Sequence, residues 1–317
     1  VVEVDPLHDA ILALRPTRGQ TRGLDYNPAM PRSPRPRSAA RRGRPLVALL
    51  TDFGSRDHYA GAVKGAVLAA CPEATVVDIT HELPRHDVAA GAFSLAAAHR
   101  AFPPGTVFVA VVDPGVGSAR RALAIEAGGY RFVGPDNGIF TLILAEHPGA
   151  RVREIRNKHL VRPNVSNTFH ARDVFAPAAA HLARGAAFSE MGPPVRDPVA
   201  LALEAVRRVG RSEWEAAVVD VDGFGNLTTN LSGADLAAIL ETLDGDPTRL
   251  VVVVEGVVLP LVRTYADVAE GEPCALMGSS GRLEIAVHRD SAARLLGAPR
   301  GAPVRLRVAV ARGGAHA

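Results

Sequence analysis

At 317 residues, 47% hydrophobic and 22% charged, the chain is long enough for two domains with cores of their own. No apolar run approaches the roughly 18 residues of a membrane span, and no signal peptide is visible at its start, which points to the cytoplasm and to no membrane partner. The net charge of +3 misleads about partners, because residues 1–45 hold nine Arg against four acidic residues; the remainder is slightly acidic, which argues against a specific nucleic-acid partner.

The arginines cluster in "PRSPRPRSAARRGRP", which cannot bury enough apolar surface to fold, so residues 1–45 read as a disordered basic leader. Structure is expected to start at Leu46–Leu50, an unbroken apolar run of the kind found in strands buried on both faces of a parallel sheet. "DHYAGAVKGAVLAAC" reads as a helix ended by Pro72, "TVVDIT" as a second strand, and "DVAAGAFSLAAAHRAF" as a helix with Asp87 at its N-cap. "GTVFVAVVD" follows as a third strand. "RALAIEAGGYRFVGPDNG" fits two strands turning at Gly128-Gly129; "IFTLILAEH" and "ARDVFAPAAAHLARG" fit helices. This alternation predicts an α/β domain over residues 46–198 with an open, mainly parallel central sheet, whose ligands bind at the carboxyl ends of the strands.

The rhythm changes near residue 200. "EWEAAVVDVDGFGNLTTNL", "RLVVVVEGVVLPLV", "EPCALMGSSGRLEIAVHR" and "APVRLRVAVA" are short β runs separated by turn residues, with one helix in "SGADLAAILETL". They predict a smaller, mostly antiparallel β domain over residues 199–311, a boundary near Pro198, and a tail over residues 312–317. Cys71 and Cys274 stand far apart and read as buried, reduced thiols.

Several motifs carry chemistry. Asp52 ends the first strand before a glycine, where its carboxylate can either accept both hydroxyls of a ribose or cap a helix. Asp78, His81, Glu82, His86 and Asp87 crowd one loop, but their spacing matches no usual metal pattern; the loop reads as polar caps, and no metal is expected. "VVDPGVGSARR" looks like a phosphate loop, yet it lacks both the third glycine of a dinucleotide fingerprint and the Lys-Ser/Thr of a P-loop. What remains is Asp113 at a strand end with Arg120 returning after a tight turn, able to hold that carboxylate ionised and oriented. "SNTFHARD" supplies Phe169 and His170 just before a helix. "VDGFGN" offers a carboxylate (Asp222), a ring (Phe224) and an amide (Asn226), the last two suited to stacking on and pairing with an adenine. "GSSG" places the hydroxyls of Ser279 and Ser280 in a turn that can hold a carboxylate group. Taken singly, each of the last three is as well read as a plain turn or a structural histidine.

As an ordered set, "LLTDFG", "DHYAGAVKG", "VVDITH", "VVDPGVGSARR", "VGPDNG", "NTFHARD", "VDGFGN" and "GSSGRLEIAV" resemble the S-adenosyl-L-methionine (SAM) hydroxide adenosyltransferases, the water-using relatives of fluorinases and chlorinases. The resemblance covers about residues 46–311. It implies that SAM and water give adenosine and L-methionine, that SAM is the substrate and no cofactor is needed, and that the protein is a homotrimer with sites between subunits. It implies a catalytic triad of Asp113, Arg120 and His170. Substrate-binding roles fall on Asp52 for the ribose, Phe169 beside the triad, Asp222 for the methionine ammonium, Phe224 and Asn226 for the adenine, and Ser279 and Ser280 for the methionine carboxylate.

The chemistry fits: methionine leaves a sulfonium as a neutral thioether, so the reaction needs an oriented, deprotonated water rather than a general acid. Either Asp113 or His170 is a candidate for the base. The alternative within the resemblance is a halide-using enzyme. Fluorinases carry tyrosines where this chain has Asp113 and His170, a threonine at Val116 and a serine at Ala171, and an inserted loop that is missing here. A carboxylate beside the nucleophile would also repel a halide. A non-catalytic adenosyl-ligand sensor is the alternative of another class, and it would leave the triad without a purpose.

Overall fold

The computed structural model describes residues 44–308; most of the expected basic leader, and the tail from residue 312, lie outside them. The described residues form two compact units that divide between Leu203 and Glu204.

In the first unit a six-stranded sheet runs in the order β2-β1-β3-β5-β4-β6, with β1 Leu46–Thr51, β2 Thr75–Thr80, β3 Val107–Val111, β4 Ala122–Ala127, β5 Tyr130–Pro135 and β6 Arg151–Glu154. Strands β2, β1, β3 and β5 are parallel; β4 is antiparallel to both its neighbours, since the glycine hairpin at Gly128-Gly129 returns the chain directly. The sheet is therefore mixed and mostly parallel. The apolar run of β1 serves both faces: Val47 and Leu49 join the core on one side, Ala48 and Leu50 the core on the other. Helices α1 (Tyr59–Ala70) and α4 (Ala176–Ala183) cover the first side. Helices α2 (Val88–Ala98) and α3 (Thr141–Glu146) cover the second. Asp87 caps α2 as expected, its carboxylate accepting from Ala90 N at 2.8 Å.

Strand β6 lies outside the sequence expectation. "RVRE" has three charged residues in four, as an edge strand tolerates. The first unit also extends past Pro198. Arg121 donates to Asp136 and Asp197, Val199 N donates to Asp136 at 2.8 Å, and Leu201 N donates to Thr141 at 2.9 Å. These bonds tie residues 197–201 to the α/β unit.

In the second unit every ladder is antiparallel. The order is β11-β10-β14-β8-β9-β13-β12, with β7 paired to β8. The strands are β7 Arg207–Gly210, β8 Glu213–Val221, β9 Leu227–Ser232, β10 Leu250–Val254, β11 Val257–Pro260, β12 Pro273–Met277, β13 Arg282–Val287 and β14 Pro303–Val308. Leu261, just after β11, bridges to Ala275 of β12, so the sheet nearly closes into a barrel around Trp214, Leu227, Val252, Leu283 and Leu306. Helix α5 (Gly233–Glu241) opens with a Ser232–Asp235 capping box, and a short α6 covers Ala292–Leu296. Cys71 and Cys274 are free and buried. Burial raises both thiols, Cys274 to about 11, so neither offers a thiolate. No helix among the described residues is long and apolar enough to cross a membrane.

Candidate active site

The first unit's chain runs from β1 out to β2 and then returns to β3 on the other side of β1. Helices α1 and α2 consequently lie on opposite faces, and a crevice opens at the carboxyl ends of β1 and β3. Asp52 follows β1 and Asp113 follows β3, and both line a cavity of about 290 Å³ there, together with Phe169 and His170.

Asp52 is held by its surroundings rather than by a helix cap. Its Oδ2 accepts from His86 N at 2.9 Å, and His86 has a left-handed backbone (φ 66°). The loop that carries His86 is itself tied down. Thr51 Oγ1 meets His81 Nδ1 at 2.7 Å, His81 Nε2 meets Asp78 at 3.0 Å, and Lys64 from α1 donates to Asp78 at 2.6 Å. Glu82 accepts from Ser55 N at 2.8 Å. The crowded 78–87 loop thus works as a set of polar ties. Among the described residues its side chains do not gather as metal ligands; the group that does is His99, Glu146 and His147.

The "VVDPGVGSARR" stretch forms successive tight turns, with Val116 N donating to Asp113 O and Ser118 N to Gly115 O. Gly117 is required: its φ is 81°, and a Cβ there would stand 2.5 Å from Asn167 O. The turns return Arg120 onto Asp113 in a two-pronged pair, with Nε donating to Oδ1 at 2.8 Å and Nη2 donating to Oδ2. The Arg120 guanidinium also lies 5.2 Å from the centre of the Phe175 ring. Only 9% of the Arg120 side chain and 6% of Asp113 are exposed, so water barely screens the pair. Arg121, the second arginine of the motif, is spent on Asp136 and Asp197.

His170 enters from the chain segment before α4, where Ala171–Phe175 form a π-helical turn. Wide turns of this kind re-aim side chains. Asp173, fully buried, pins the segment by accepting from Arg172 at 2.7 Å and from Ser166 N at 2.9 Å. His170 Nδ1 lies 2.9 Å from Arg120 Nη2. A guanidinium can only donate, so Nδ1 is the acceptor and the ring's proton sits on Nε2. Burial, and then the neighbouring Arg120 charge, hold His170 below the usual histidine range, which keeps it neutral near pH 7.

The remaining sequence candidates belong to the second unit. Asp222 organises its own turn: Oδ1 accepts from Phe224 N and Asn226 N, each at 2.9 Å, and Oδ2 accepts from the Asn226 amide at 3.0 Å. Asn226 is nearly buried, and Phe224 is 83% exposed. Ser279 and Ser280 sit in the β12–β13 turn, closed by Gly281 N donating to Gly278 O.

Two models of known families match the chain in tandem: the SAM hydroxide adenosyltransferase N-terminal domain over residues 47–192 and its C-terminal domain over residues 216–305. The chain belongs to the SAM hydroxide adenosyltransferase family. A (R)-S-adenosyl-L-methionine hydrolase from Thermus thermophilus is 40% identical over 268 residues, 82% of this chain and 98% of that protein. A fluorinase from Actinoplanes sp. is 31% identical over 77% of this chain and 91% of its own. The crystal structure of an uncharacterized conserved protein from Thermotoga maritima superposes with a TM-score of 0.77 at 34% identity, covering 82% of this chain and 99% of that one.

For a SAM hydroxide adenosyltransferase, three residues missed in the sequence deserve a place. Tyr59 and Phe53 pack edge-on against Phe169, at ring-centre distances of 5.3 and 5.9 Å, and build the aromatic side of the cavity. Tyr59 is 42% exposed at the start of a helix, and that mismatch is a signal only a structure supplies. Glu284 is buried in β13 and accepts from Tyr265 Oη at 2.6 Å. Burial raises its carboxyl, and the charge of Asp222 raises it further, which places the two acids in one electrostatic neighbourhood.

Proposed function

We propose that this protein hydrolyses S-adenosyl-L-methionine to adenosine and L-methionine. The observation that carries the reading is the Asp113–Arg120–His170 arrangement at the wall of the β1/β3 crevice, in a chain of this family. Water forms the new C5′–O bond while the C5′–S bond breaks. The sulfur keeps the bonding electron pair, methionine departs as a neutral thioether, and one proton is released.

The hydrogen bonding favours Asp113 as the group that receives that proton. The acceptor nitrogen of His170 is occupied by Arg120, and its other nitrogen already carries hydrogen. Each Asp113 oxygen takes one bond from Arg120 and keeps a further lone pair for water. His170 then orients the nucleophile through Nε2, and Arg120 fixes both partners at once. A hydroxide-like nucleophile meeting a sulfonium-bound carbon loses charge on both sides, which a partly desolvated cavity favours. The Asp113 carboxylate repels a halide at the same spot.

Asp52 is suited to the ribose diol and the Phe53–Tyr59–Phe169 rings to an apolar face of the nucleoside. Asp222, with Glu284 near it, gives the second unit an electronegative spot suited to the methionine ammonium, with Ser279 and Ser280 for its carboxylate. A cytoplasmic homotrimer with sites completed between subunits belongs to the same proposal. Phe224, 83% exposed, leaves its ring free to stack on a ligand or meet a partner.

Incubation with SAM in H₂¹⁸O tests the reaction: adenosine should appear with the label in its 5′-hydroxyl. Intact SAM after prolonged incubation overturns the reading, and label absent from adenosine overturns attack by water at C5′. Light scattering tests the trimer.

A further inference from the structure

A cluster that the proposed reaction does not use lies at the opposite end of the first unit's strands. His99 ends α2, and its ring packs among Phe108, Tyr130 and Phe132 at the amino ends of β3 and β5. Asp113 follows the carboxyl end of β3.

His99 is fully buried, and its Nδ1 lies 3.0 Å from Ala96 O. A carbonyl only accepts, so Nδ1 carries the hydrogen, and Nε2 of the neutral ring is a bare lone pair. That nitrogen has no hydrogen-bond partner and faces Glu146 Oε1 at 3.3 Å. His147 Nε2 is also buried without a hydrogen-bond partner and stands 3.2 Å from the same oxygen. The His99 lone pair, aimed at a carboxylate, repels it unless positive charge lies between them.

We propose that His99, Glu146 and His147 bind a divalent transition-metal ion of the zinc class. Their three ligand atoms all lie within 4.8 Å of one another. Around a tetrahedral ion with bonds of roughly 2.0–2.1 Å, neighbouring ligand atoms stand about 3.3 Å apart. The two N···O separations already have that length. The Nδ1–H bond to a backbone carbonyl is the outer partner that metal-binding histidines usually have. The His147 ring occupies space that exists because residue 128 is glycine; a Cβ there would lie 2.5 Å from the ring. The carbonyl end of the 11-residue α2 adds a negative potential at His99. Arg100 donates to Glu146 Oε1 at 2.9 Å, but its side chain is 70% exposed and can release the oxygen to solvent. Two imidazoles and a carboxylate, with no thiolate, leave a fourth position for water. The ion would clamp α2 to α3, a structural role distinct from SAM chemistry.

The test uses the full chain, stripped with a chelator and titrated with Co²⁺ and then Zn²⁺. One equivalent of Co²⁺ should give the absorption bands of a four-coordinate site, and Zn²⁺ should displace it and raise the melting temperature. His147→Asn and Glu146→Gln should each weaken Zn²⁺ binding by on the order of 10–100-fold or more, with SAM turnover unchanged. A cobalt spectrum that survives both substitutions places the ion elsewhere and overturns the proposal. So does the absence of bands from the wild type, with ¹⁵N shifts reporting His99 protonated on both nitrogens; an imidazolium–carboxylate pair then explains the cluster.

Discussion

Replacing Asp113 by Asn separates the chemistry from the architecture. The side chains are isosteric, and Asn retains one oxygen to accept from Arg120, but it cannot take a proton from water near neutral pH. Losing a positioned base reduces turnover by on the order of 10²–10⁴, about 2.7–5.5 kcal/mol of barrier at ~1.4 kcal/mol per factor of ten. The fold is affected as well. Arg120 is left as a nearly buried cation whose remaining partners are one amide oxygen, His170 Nδ1, the Arg121 carbonyl and the Phe175 ring. Breaking a buried ion pair costs about 3–5 kcal/mol; the surviving oxygen argues for the lower end, within the ~5–15 kcal/mol that holds a typical domain. Adenosine formation followed by chromatography, beside urea unfolding of the same preparation, reads both effects. The KM for SAM should change little, because the other cavity groups make the ligand contacts. Wild-type turnover in a variant that has lost stability would remove Asp113 from the mechanism and leave it a structural partner of Arg120.

Protonating His170 sets a cation against Arg120 and removes their hydrogen bond. Its pKa is lowered in the folded protein, so its contribution to stability is present above the ordinary value of about 6.5 and is lost as pH falls through it toward the folded value. Hydrolysis should therefore show an acid limb below about pH 6.5, and this limb should move in His170→Gln, whose carbonyl also accepts from Arg120; an identical limb refutes the assignment. Gly117→Ala should destabilise by ~1–3 kcal/mol and impair turnover, because it combines positive φ with a clash against Asn167 O. Gly115→Ala, whose Cβ would have 3.5 Å to Ser118 Oγ, should be nearly neutral to urea, and equal effects of the two would contradict the turn geometry. Phe224→Ala should leave the melting temperature unchanged, as befits an 83% exposed ring. It should raise the KM for SAM by about tenfold, the order expected for one lost ring stack; an unaltered KM removes the ring from the site.

Elements that announce themselves by composition were legible in the sequence. The apolar run of β1 requires cover on both faces, and it receives it from two cores. Gly128-Gly129 marks the hairpin, since both residues have positive φ. Strand β7, "RRVG", is exposed throughout, and β6 is charged at three of its four residues, so neither carries the apolar periodicity that identifies a strand. The end of the first unit was hidden for a similar reason. Asp136 and Thr141 hold residues 199–201 through side-chain bonds to backbone N–H, which leave no pattern in the held segment.

The candidate site divides along the same line. Asp113 and Arg120 lie seven residues apart, and the intervening glycine turn makes their meeting a local event, so the sequence by itself determined that pair. His170 arrives from 50 residues beyond Arg120, and only the packing of the π-helical turn against the sheet decides which of its nitrogens Arg120 occupies. That contact in turn favours Asp113 over His170 as base. His99 and the Glu146–His147 pair are nearly as distant along the chain, and no spacing rule joins them. Local turns are written in neighbouring residues; the protonation state of a buried ring is set by whatever the fold places beside it.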